Sequence, residues 1–226
     1  MRNKDIWIIV VVILFIIIGC ILSVDKYSEV TCKKEVHRIA NLELTENNFD
    51  TNTKSLLGYG KIEEALKIYL KTYSHDIDVI NKVSSDETLK NILSIDNISK
   101  DGKEFKQSLP YLEDSIKKYT NSIDELITMS DEKYFNNFIK DYTDSEKCIS
   151  LYQQLVKEEK ISDKFYKIDE LNNNKNMILN NLNLSLEALT YLKNNQDGWN
   201  IEDGIIKFNS YELLDGYTAI INKITK

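Results

Sequence analysis

Proline and glycine are nearly missing from this chain: Pro110 stands alone, and seven glycines serve 226 residues. A many-stranded sheet needs turn residues at short intervals, so this shortage argues against one and for long helices. Cysteine is scarce too, with only Cys20, Cys32 and Cys148, which excludes a small fold stapled by many disulfides. The histidines are His37 and His75. Cys32 and His37 lie five apart and neither belongs to a second ligand couple, so no zinc motif and no other metal site is expected. An excess of positive charge is also lacking. Beyond residue 24, leaving out Arg2, Lys4 and Asp5, 27 Lys+Arg face 35 Asp+Glu. That balance disfavours nucleic acid and anionic surfaces as partners, because like charges repel.

One long apolar run is present. Residues 6–24 contain no charge and at the helical rise cover roughly 28 Å, close to the roughly 30 Å of bilayer hydrocarbon. This segment is read as a membrane anchor, with residues 25–50 as a stalk or linker helix and residues 51–226 as the main body. Two uses of the anchor compete. As a transmembrane helix it places Trp7 where an interfacial aromatic belongs. Alternatively, Arg2 and Lys4 head a signal sequence, and Ile17, Ile18, Gly19 and Cys20 resemble a bacterial lipobox. That resemblance implies lipidation at Cys20 after cleavage. Ile21 and Leu22 follow the cysteine where such proteins usually turn polar, and this favours the uncleaved span. The short charged head favours an inside amino terminus, which puts the large body on the outer face of the membrane.

The body reads as all-α. Ile62, Leu66, Tyr69, Tyr73, Ile77, Ile80 and Val83 form one helical stripe. Ser84 and Glu87 have capping-box spacing for a short following helix, and residues 96–102 read as a loop. Leu109, Leu112, Ile116, Tyr119, Ile123 and Leu126 alternate three and four apart, the seam of a coiled-coil-like helix, with Pro110 harmless in its first turn. Phe135, Phe138, Tyr142, Ile149, Tyr152 and Val156 continue the rhythm after Ser130 and Asp131. Leu171, Ile178, Leu182, Leu186, Leu189 and Leu192 carry a further helix through an asparagine-rich stretch. A last helix is expected from about Asn209. Such stripes bury against one another as an antiparallel bundle. Residues 199–208 break the pattern: Asp203-Gly204 between apolar runs is a hairpin signal. The alternative is an ordered loop whose Trp199, Ile201 and Phe208 cover one end of the bundle.

Motifs for chemistry are wanting. Gly58-Tyr59-Gly60-Lys61 lacks the spacing of a P-loop, and residues 97–108 lack the glutamate that closes an EF-hand. Glu63, Glu64 and Lys67 read as an ordinary solvated face. Cys32 and Cys148 are read either as a disulfide or as two separate thiols. No catalytic residue, cofactor site or metal site is assigned. The expectation is a membrane-anchored extracytoplasmic bundle with a protein partner of unknown identity, with a ligand-binding sensory bundle as the alternative.

Overall fold

A computed structural model describes the backbone of residues 3–50 and 52–224, and side chains from residue 12 onward except those at positions 46, 51, 225 and 226. Among the described residues the chain is mostly helical, with one two-stranded antiparallel sheet. Its helices are α1 (Asn3–Ala40), α2 (Tyr59–Ser85), α3 (Glu87–Lys90), α4 (Ile95–Asp101), α5 (Ser108–Met129), α6 (Glu132–Asn137), α7 (Glu146–Glu158), α8 (Ile168–Asn194) and α9 (Tyr211–Ile221). Strands β1 (Trp199–Glu202) and β2 (Ile205–Phe208) form the hairpin. Residues group into two compact units, Met1–Ser74 with Ser130–Phe165, and His75–Met129 with Tyr166–Lys226.

The first unit combines α1, the first part of α2, α6 and α7. The α2 stripe is buried as its spacing predicts, with Ile62, Leu66, Tyr69 and Tyr73 sealed. Tyr69 packs against Phe135 and Phe138 at ring separations of 4.7 and 4.9 Å, and Tyr73 meets Phe165 at 4.6 Å. Such tilted aromatic clusters suit the ring quadrupoles. The expected continuous helix after Asp131 is instead broken. Asp131 caps α6 by accepting from the Tyr134 N–H at 2.7 Å, a 3-10 turn follows at Phe138–Asp141, and Ser145 caps α7. A capping serine within a helical period starts a helix, and here it wins over the apolar spacing.

The second unit packs α5 against α8, with α3, α4, the hairpin and α9 around them. Leu112, Leu189, Leu192, Ile98, Phe105 and Trp199 share one core. The asparagine-rich segment is helical throughout, as its leucine stripe predicts. Residues 96–102 are not a loop but most of α4: Ser94 caps it, Ile98 is buried, and Gly102 ends it at φ +73°. The hairpin forms where Asp203-Gly204 predicts, pairing Trp199 with Phe208 and Ile201 with Ile206. Asp203 (φ +54°) and Gly204 (φ +73°) both take the left-handed conformation that a tight two-residue turn requires. α9 begins at Tyr211, two residues later than expected, because Ser210 is its cap.

The expected anchor at residues 6–24 falls partly outside the described residues, since side chains 1–11 are not described. Among the described residues no helix is long and apolar enough to cross a membrane. The described remainder, residues 12–24, covers only roughly 20 Å at the helical rise.

Candidate functional site

α1 has two halves of opposite character. Along residues 12–24 its apolar side chains, among them Leu14, Phe15, Ile17, Ile21 and Leu22, are exposed all round the helix. Cys20 lies exposed among them. From Ser28 onward one face is buried by Ser28, Cys32, Glu35, Val36 and Ile39, a three-and-four spacing made largely of small and polar residues.

A collar marks the change. Lys147 on α7 pairs with Asp25 at 2.9 Å and lies 5.1 Å above the Tyr59 ring. The Lys147 ammonium holds the Asp25 carboxyl below its ordinary range. Ser28 accepts from the Leu56 N–H at 2.8 Å and donates back to the Leu56 carbonyl. The chain approaches α7 so closely here that a Cβ on Gly58 would lie 2.8 Å from the Cys148 sulfur.

Above the collar sits a buried ion cluster. Lys67, 1% exposed, reaches Glu35 at 3.2 Å and Asp50 at 3.4 Å and donates to the Asn52 carbonyl. Glu35, 4% exposed, also binds Arg38 through two bonds of 2.7 and 3.0 Å and Lys54 at 2.7 Å. Arg38 first, with Lys54 and Lys67, holds its carboxyl down at about 2. Glu63 is fully buried and accepts from the backbone N–H groups of Lys54 and Ser55 at 2.7 and 2.9 Å and from the Ser55 hydroxyl. Three acids and three bases balance. The cluster fastens Asp50, Asn52, Lys54 and Ser55 to α1 and α2, and the ammonium of Lys67 spends its protons on its own partners among them. Glu63 and Lys67 therefore do not form the solvated face expected of them. Their i, i+4 positions fall beside Ile62 and Leu66 on the buried side of α2, the one signal that could have revealed them.

Cys32 and Cys148 both stand as buried free thiols in the first unit. They are near enough to influence one another electrostatically, and burial, then the Glu63 carboxylate, pushes the Cys32 thiol up to about 12. A thiol so poorly ionised is a weak nucleophile. His37 and His75 are exposed, and His37 pairs with Glu159 at 2.9 Å. Among the described residues no three His, Cys, Asp or Glu side chains converge as a metal would require.

The second unit holds a cleft of about 360 Å³ lined mainly by Val83, Leu89, Ile92, Leu93, Ile178 and Leu182, with Asp86, Lys90, Asn181 and Ser185 among its polar groups. The chain matches no known protein family, no curated protein and no solved structure.

Proposed function

We propose that this is a membrane-tethered helical protein, holding an acidic body on the outer face of a cell membrane and working there by binding another protein. The observation that carries the tether is the ring of apolar side chains exposed on every side of α1 at residues 12–24. A helix apolar all round is stable only inside a protein core or a bilayer. The uncharged run extends back to Ile6, which brings it to bilayer length. The ion cluster supports a scaffolding role, because it locks the polar half of α1 to the first part of α2 and so fixes the first unit on its tether. Membranes washed with alkaline carbonate should retain the chain, and a double Ile13→Lys, Ile17→Lys variant should be released. Wild-type release would end the reading. Protease applied from outside should digest the body, and crosslinking there should yield one partner whose recovery falls when exposed acidic residues are reversed in charge. Labelling with a radioactive fatty acid, compared with Cys20→Ser, separates lipidation from a plain span.

A second reading, a ligand-binding sensory bundle, is favoured by the cleft in the second unit. Its volume falls within the range of small-molecule sites, and its lining is apolar with a few polar groups. A ligand bound there should raise the unfolding temperature in proportion to its occupancy, and Leu182→Trp should abolish that rise.

A further inference from the structure

We infer that Leu56 and Leu57 form a second membrane contact, a two-leucine tip that enters the boundary between lipid headgroups and acyl chains beside α1. The inference rests on the tethering reading and specifies what that tether does to the rest of the first unit.

Position is the first argument. The tip is bound to α1 at Ser28, which is fully buried and exchanges two hydrogen bonds with the Leu56 backbone. Ser28 lies four residues beyond Val24, the end of the uncharged run, or about 6 Å along the helix. A tip held at that height meets the surface of whatever bilayer receives residues 6–24.

Chemistry is the second. Leu56 is 55% and Leu57 62% exposed. Two adjacent leucines thus leave more than half of their apolar surface outside the core, whereas apolar side chains at a bilayer surface bury themselves about 5–10 Å into the boundary. Tyr27, 68% exposed on the neighbouring turn of α1, is the residue type that favours the headgroup level.

Backbone strain is the third. Leu57 has φ +55°, a left-handed conformation that disfavours a bulky residue. Strain of this kind persists only where the surroundings enforce it. Here Glu63 grips the N–H groups of Lys54 and Ser55, Ser28 grips Leu56, and the Gly60 N–H bonds back to the Leu57 carbonyl at 3.2 Å. The tip is a fixed protrusion rather than a loose loop. Height, apolar identity and rigidity select a lipid surface as the occupant over a protein groove.

The thiol layout supplies the test. Cys20 is the exposed cysteine, while Cys32 and Cys148 are buried. An environment-sensitive fluorophore on Cys20 of the full chain therefore reports the tether. The same fluorophore on a Cys20→Ser, Leu57→Cys variant reports the tip, and on Cys20→Ser, Lys157→Cys it reports the far end of α7. Each is reconstituted into phosphatidylcholine vesicles carrying a nitroxide near the glycerol or near the chain end. The expected result is quenching at positions 20 and 57, with position 57 quenched more by the shallow nitroxide, and none at 157. Quenching at 20 but not at 57 overturns the tip and leaves the tether standing. Quenching at neither overturns both. Leu56→Cys in the same Cys20→Ser background serves if Leu57→Cys does not fold, and is read the same way.

Discussion

Glu35 on α1 and Lys67 on α2 meet at 3.2 Å with almost no access to solvent. Each is also tied to a third element, Glu35 to Lys54 and Lys67 to the carbonyl of Asn52. A pair buried in this way resists the loss of one member far more than the loss of both. Lys67→Met should destabilise the first unit by about 3–5 kcal/mol, measured by urea unfolding. The double Glu35→Gln, Lys67→Met variant should recover part of that loss, since contacting sites are not additive.

The pH dependence has two limbs of opposite sign. Glu35 has its carboxyl lowered from 4.5 to about 2. The stability it contributes is complete above its unfolded value of 4.5 and is lost as pH falls toward 2. Asp76 is raised from 3.8 to about 6, chiefly by burial, and one of its oxygens has no hydrogen-bond partner among the described residues. Its contribution is complete below 3.8 and is lost as pH rises through 6. Stability should therefore peak between about pH 3.8 and 4.5, above which the Asp76 loss outweighs what Glu35 still gains. Asp76→Asn should be more stable than the parent by about 1–2 kcal/mol at pH 8 and equal to it near pH 4.

Thiol reactivity should follow burial. In the folded chain a thiol reagent at neutral pH should modify Cys32 and Cys148 only after denaturation, counted by mass spectrometry. A chain that migrates faster on a gel without reductant, and yields one reactive thiol even when unfolded, would instead mean that Cys32 and Cys148 are joined.

Two left-handed positions should respond in opposite directions. Lys160 has φ +50° just after the α7 cap at Glu159, where glycine is the common residue. Lys160→Gly should stabilise by about 1 kcal/mol. Gly204, at φ +73° in the hairpin turn, should lose about 1 kcal/mol on replacement by alanine. Thermal unfolding of the two variants checks both.

Long stripes and turn chemistry were legible in the sequence. Ile62, Leu66, Tyr69 and Tyr73 are buried as their spacing requires, and the turn at Asp203-Gly204 needs only local information. The first unit's ion cluster was hidden because burial of a charge depends on partners distant in the chain. Lys67 beside Glu63 looks like a solvated pair until Glu35, Asp50 and Asn52 close over it. The packed face of α1 was hidden for a related reason. Tyr27 and Val30 face outward, while the packed face opens with Ser28, Cys32 and Glu35, which carry little hydrophobic signal, before reaching Val36 and Ile39. The helix break at residues 138–145 was lost because apolar period and capping residues gave competing answers.

Lys103 has a consequence for how the second unit assembles. Its ammonium donates to the carbonyls of Gln196 and Trp199 and to the Asn200 side chain at 2.6, 2.7 and 3.0 Å, much as a captured cation would bind oxygens, except that this one is attached to the chain. The attachment spans 93 to 97 residues of sequence. A hairpin turn can close within microseconds, but this hairpin gains its bonds to Lys103 only when the chain has brought residue 103 back to it. Contacts of such long sequence separation slow folding. The segment most easily recognised from local sequence is thus expected to be among the last to dock.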